Sequence, residues 1–197
     1  MGQTRVTGDG LIKRLFDMVA ALAGLMVLWP VLLMIAVAVR LDSPGPAIHW
    51  SRRVGRDNQI FLMPKFRSMR IDTPDVATHL LDDPQQWITP LGRMLRRTSL
   101  DEFPQLWSVL VGQMSLVGPR PALFNQDDLV ALRTEVGVHR LRPGVTGWAQ
   151  INGRDGLPIA EKVRFDADYM ARQNLVLDIR IILITLRAAV AAKGVSH

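Results

Sequence analysis

The chain has 197 residues, a formal net charge of +6, 48% apolar residues and no cysteine. That length and apolar content suit one domain with a real core, and they exclude a disordered chain. The lack of cysteine excludes disulfides, thiolate metal sites and cysteine nucleophiles, and His49, His79, His139 and His197 show no metal-ligand spacing.

The first feature in chain order is a charge-free run, residues 18–39, "MVAALAGLMVLWPVLLMIAVAV". It is long enough to cross a bilayer as a helix. Lys13 and Arg14 precede it and Arg40 closes it, so both flanks are basic. A cleaved signal peptide is one reading, but the run is longer than that purpose needs and the chain after it is basic. A simple spanning helix puts one basic flank on the wrong side. A re-entrant segment resolves the conflict. Pro30 removes one backbone hydrogen bond near the middle, and a bend at Trp29-Pro30 gives two arms of roughly a dozen residues, about 18 Å each. The expected organisation is a tail at 1–12, a re-entrant helix-break-helix at 13–41, and a cytoplasmic domain at 42–197.

Pro44-Gly45-Pro46 then marks a turn. Strand-like pieces near 48–51 and 59–66 lie among Arg52, Arg53, Arg56, Lys65, Arg67 and Arg70. Residues 71–90, rich in Asp and Pro, read as loop with a short helix at most. Residues 90–97 read as a short helix with proline at its start, and 103–112 as a helix stopped by Gly112. Residues 115–123 read as an apolar step into a proline-rich turn. A helix is expected over 124–138, with Asp127 and Asp128 in its first turn. Residues 142–156 read as a glycine-rich loop with strand, its glycines serving turn geometry or nucleotide contact, and 157–173 as a helix. The closing run 175–193 is broken by Asp178, Arg180 and Arg187. It reads either as an amphipathic helix in the membrane interface or as a core helix. The fold class is α with small β elements (α+β), mostly helical and membrane-associated.

A basic excess suits nucleic acid, anionic lipid or a phosphorylated small molecule. Nucleic acid fits least, because no basic helix with base-reading residues and no aromatic platform appears. The adjacent acids in "TSLDEFPQL" (98–106) narrow the choice. Ser99-x-x-Glu102 is a capping-box pattern. Pro104 argues against it, since it would fall where a backbone N–H is needed. A later helix start puts Asp101 and Glu102 at the helix N-terminus, where the dipole favours ionised carboxylates. Adjacent residues do not share a helix face, so the acids suit two jobs. One can attack phosphorus, and the other can hold Mg²⁺ with substrate phosphates. Arg96, Arg97 and Arg120 would neutralise those phosphates. The residues alone leave the helix cap and the phosphate-metal site both open.

Five stretches settle more: "KRLFD" (13–17), "KFRSM" (65–69), "RRTSLDEFPQLWSVLVGQMSLVGPRP" (96–121), "RLRPGVTGWAQINGR" (140–154) and "FDADYM" (165–170). In this order they resemble the bacterial sugar transferase family, the small monotopic polyprenyl-phosphate phosphoglycosyl transferases, from about Lys13 to about Gly194. The resemblance implies transfer of a phospho-sugar from a UDP-sugar to undecaprenyl phosphate, with release of UMP. It implies a first membrane step of a glycoconjugate pathway, on the cytoplasmic face of a bacterial inner membrane. Asp101 matches the nucleophile that forms a covalent phospho-sugar intermediate, and Glu102 matches the Mg²⁺ ligand. Lys65, Arg67, Arg97, Arg120, Arg154 and Asp166 make up the expected substrate- and phosphate-binding set. Asp168 stands where the family's Asp-x-Tyr-Tyr has its first tyrosine, so which acid acts stays open. The family bends its helix at Ser-Pro, where this chain has Trp29-Pro30. The chain is expected to lack the N-terminal spanning helices of larger members. Expected partners are the UDP-sugar, undecaprenyl phosphate and inner-membrane lipids, with a homodimer left open. The rivals are a membrane phosphatase or pyrophosphatase using the same aspartate, and a non-catalytic protein that binds anionic lipid. No motif names the sugar.

Overall fold

A computed structural model describes residues 9–74, 83–153 and 156–192. The apolar run lies in one helix, α1 (Asp9–Asp42), with Pro30 inside it. The helix runs on through Trp29-Pro30 rather than dividing in two. Proline removes a single bond from the ladder, which bends a helix more readily than it ends one.

One flank of α1 packs on the rest of the chain on both sides of Pro30. Ala21 is buried with Phe61, Met63, Val109 and Met114, and Val39 with Phe66 and Leu95. Polar anchors fix both ends. Lys13 Nζ lies 2.6 Å from Asp178 Oδ2, and Asp17 accepts from the Leu116 N–H. Arg14 donates to the carbonyls of Val109 and Leu110. At the other end Arg67 donates to the carbonyls of Val39, Ser43, Pro44 and Pro46. It thus satisfies carbonyls that a helix end and its turn leave without partners. The opposite flank of α1 is exposed and apolar, from Leu11, Leu15 and Val19 through Met26, Val27 and Trp29 to Leu33, Met34 and Leu41.

Strands β1 (Ile48–Val54) and β2 (Ile60–Phe66) form an antiparallel hairpin in which Ile48 pairs with Phe66 and Val54 with Ile60. Its turn uses Asp57 and Asn58 at positive φ, a conformation these short polar residues tolerate. A four-residue helix, α2 (Pro84–Trp87), precedes α3 (Pro90–Thr98). Thr89 caps α3 through its hydroxyl, which accepts from the Gly92 N–H. Gly92 is required where it stands: a Cβ there would meet the Ser68 carbonyl oxygen at 2.0 Å.

A 3-10 turn, Leu100–Glu102, leads into α4 (Gln105–Leu110). The short strands β3 (Ser115–Val117) and β4 (Gly144–Thr146) pair in parallel, the former unexpected from sequence. Here Gly144 allows close approach, since a Cβ would meet the Gly118 nitrogen at 2.1 Å. Helices α5 (Asp127–Glu135), α6 (Trp148–Ile151), α7 (Ile159–Arg172) and α8 (Leu175–Ala192) complete the mostly helical α+β fold.

Helix α8 has a buried side and an exposed apolar side. Ile181 is buried with Val117 and Tyr169, while Val176, Leu183 and Leu186 are exposed. The fourth core cluster joins Ala122, Leu129 of α5 and Val163 of α7.

Candidate active site

The paired acids sit on the 3-10 turn between α3 and α4. Ser99, the hinge before them, has left-handed φ 56° and ψ 19°, and its side chain makes no cap hydrogen bond. Its N–H instead closes α3 on the carbonyls of Arg96 and Leu95. The capping-box reading is thereby removed, and Ser99 ends one helix rather than starting the next. Pro104 is the residue before α4, so the acids lie outside that helix's first turn. Asp101 is buried at 8% exposure, and burial raises its pKa, partly offset by Lys65 and Arg96. The expectation that a helix dipole holds Asp101 ionised is therefore corrected: burial dominates, and nearby cations counter it.

Glu102 meets two cations at one oxygen. Lys65 Nζ of β2 lies 3.0 Å from Oε1, and the Arg120 guanidinium lies 3.1 Å from the same atom. Burial works to raise the Glu102 pKa, but the two cations overcome it and hold it at about 2. Burial lowers the Lys65 pKa, with Arg120 and Arg53 adding to the effect while Glu102 opposes it. Glu102 is thereby held ionised, because two cations share one carboxylate.

Lys65, Glu102 and Arg120 line a small cleft with Arg53, Met63, Gln105 and Pro121. A second pocket shares Pro121 and is walled mainly by aliphatic residues and prolines. Charge and chemistry favour the charged cleft as the candidate site.

The other expected site residues divide. Arg67 does not join the cleft, because its guanidinium is used up on the four carbonyls at the end of α1. Arg97 is exposed, and it is Arg96, one residue earlier on α3, whose charge reaches Asp101. Arg154 lies outside the described residues. Asp166 is buried and binds Arg133 of α5 through Oδ2, at 3.0 Å from Nε and 2.6 Å from a terminal nitrogen. Asp168 instead makes a surface pair with Arg172. The inward acid of the last motif is therefore Asp166, and its partner is Arg133, which sequence reasoning missed. Arg133 falls four residues after Leu129 on the buried face of α5, and a cation on an apolar stripe was the available signal.

A second buried network was also missed. The Tyr169 hydroxyl lies 2.7 Å from Asp178 Oδ1 and 3.1 Å from the Val117 carbonyl oxygen, and Asp178 in turn binds Lys13. Trp148 belongs to the core cluster around Tyr169, with Arg172 4.9 Å from its ring centroid.

Among the described residues no group of three or more His, Asp or Glu could hold a metal. The adjacent Asp101 and Glu102 supply the one or two carboxylates that Mg²⁺ takes when phosphates and water complete its shell. The donor set thus fits a metal that arrives with a phosphorylated ligand.

The family model described as bacterial sugar transferase matches residues 8–192, and the chain belongs to that family. It is 42% identical over 181 residues to a UDP-glucose:undecaprenyl-phosphate glucose-1-phosphate transferase of Xanthomonas campestris pv. campestris, covering 88% of this chain and 37% of the relative. It is 38% identical over 201 residues to an undecaprenyl-phosphate glucose phosphotransferase of Komagataeibacter xylinus, covering 94% and 37%. It is 40% identical over 191 residues to the exopolysaccharide production protein PSS of Rhizobium leguminosarum bv. phaseoli, covering 90% and 94%. The chain spans less than two-fifths of the length of the first two and nearly all of the third.

Proposed function

We propose that the protein is a phosphoglycosyl transferase that moves a phospho-sugar from a UDP-sugar to undecaprenyl phosphate and releases UMP, as an early membrane step in making a glycoconjugate. The observation that carries this reading is the split of two adjacent acids: Asp101, buried with its pKa raised, and Glu102, held ionised by Lys65 and Arg120. The names of the Xanthomonas and Komagataeibacter relatives support the substrate classes.

In the first step an Asp101 oxygen bonds to the sugar-bearing phosphorus, and the bond from that phosphorus to the bridging oxygen breaks, so UMP leaves. In the second step an oxygen of undecaprenyl phosphate bonds to the same phosphorus and the bond to Asp101 breaks, which restores the carboxylate. Lys65 and Arg120 transfer from Glu102 Oε1 to the incoming diphosphate and neutralise charge that grows on the leaving group. Mg²⁺, held by Glu102 when bound, would withdraw charge from the same phosphates. The fixed positions of these groups supply most of the acceleration.

Helix α1 dips into the inner membrane from the cytoplasmic face and returns. Its exposed apolar flank supports membrane contact, and its anchors at both ends on one domain support a return over a crossing. Single cysteines at positions 5 and 50, labelled from each side of the membrane, are expected to react from the same side, and opposite-side labelling would defeat this topology.

Radiolabelled UDP-sugar is expected to leave its phospho-sugar covalently on the protein, and Asp101→Asn to abolish both label and UMP release. Turnover should require polyprenyl phosphate. UMP release with water as sole acceptor would instead mark a hydrolase.

A further inference from the structure

We infer that Arg133 is a positioning residue for Arg120, clamped by Asp166; the inference rests on the transferase reading above. The Arg120 segment is Pro119-Arg120-Pro121, a backbone with few conformations, because each proline fixes its own φ and Pro121 also restricts Arg120. In such a segment, holding one carbonyl fixes the direction of the side chain beside it. Arg133 holds that carbonyl: a terminal nitrogen donates to the Arg120 oxygen at 2.8 Å. The rest of its guanidinium is committed to Asp166 Oδ2. The planar fork of arginine serves both partners at once, which a lysine ammonium cannot do with the same geometry.

The chain of contacts runs from α7 to α5, then to the Pro-Arg-Pro turn, and through the Arg120 side chain to Glu102. It sits over the cluster of Ala122, Leu129 and Val163, so both helices that carry the clamp are seated on a common core. Asp166 therefore touches no substrate. It sets the orientation of a guanidinium that sets the orientation of another.

The experiment is a double-mutant cycle on the full chain, with UMP release as readout. Arg133→Lys and Asp166→Asn are each expected to lower kcat/KM for the UDP-sugar at least ten-fold, with the affinity for UDP falling in the same direction. Arg120→Ala is expected to cost a hundred-fold or more. In the Arg120→Ala background, Arg133→Lys should cost less than two-fold further, because its effect passes through the residue already removed. Multiplicative losses would overturn the inference, since a general loosening of the fold acts whether or not Arg120 is present. Thermal unfolding of each variant identifies misfolding, and Asp166→Asn tests the clamp independently if Arg133→Lys does not fold. UDP affinity by calorimetry gives the same cycle without turnover. Absence of UMP release in the unaltered protein would defeat the transferase reading, while the coupling seen with UDP would still decide the clamp.

Discussion

Glu102→Gln tests the electrostatics of the site through stability. In the folded chain the Glu102 carboxyl is moved from its ordinary 4.5 to about 2 by Lys65 and Arg120, against the pull of burial. A shift of that size is worth about 3 kcal/mol of folding stability. Its side chain is 20% exposed and that of Lys65 16%, so solvent screening removes little of it. The folded pKa lies below the unfolded one, so the stabilisation is fully present above about pH 4.5 and is lost as pH falls toward 2. Glutamine carries no charge, so the variant should be less stable than the parent by about 3 kcal/mol at pH 7 and by only ~1.4 kcal/mol at pH 3. Equilibrium unfolding in nonionic detergent, followed by tryptophan fluorescence at the two pH values, measures the difference. Equal stability at pH 7, or a gap of the same size at pH 3, would refute the account of two cations on one oxygen.

Three further outcomes follow from other residues. Ser99→Gly should be neutral or stabilising by up to about 1 kcal/mol, because φ 56° favours glycine, whereas loss of a capping box would destabilise by about that amount. Arg67→Ala should cost about 3 kcal/mol or more, read as a fall in Tm, because four carbonyls at the exit of α1 lose their donor. UMP release should fall as pH drops through the raised pKa of Asp101, since the attacking group must be ionised; an acid limb centred at or below 3.8 would contradict the burial effect.

Local pattern made much of this legible. Pro90 and Gly112 bracketed α3 and α4 because proline and glycine act on the backbone where they stand, whatever packs around them. Lys65, Asp101, Glu102 and Arg120 fell in recognisable stretches, and the fold brings Lys65, Glu102 and Arg120 to one oxygen. What was not legible depended on partners distant in sequence. Arg67 reads like any other cation in a basic strand until the carbonyls around Val39 and Ser43 fold back onto it. The choice between Arg96 and Arg97 turns on 100° of helix rotation, which composition does not report. The Arg133–Asp166 pair joins two helices, and neither sequence contains the other's half. Pro30 carries a related ambiguity: proline states which bond is lost, but the neighbouring ladder decides whether the helix ends, and here α1 runs on through it.

The way α1 is seated also limits how this protein can be handled. A membrane anchor that merely tethers a catalytic domain can be trimmed away to give a soluble enzyme. Here the helix supplies Ala21 and Val39, at 0% and 2% exposure, to two separate parts of the interior. Deleting it would unroof the strand that carries Lys65. The route to a water-soluble form is repainting: leave the inward flank intact and replace Leu15, Val19, Met26, Val27, Leu33 and Met34 with polar helix formers. In this molecule, solubility is a property of one side of a helix, not of its presence.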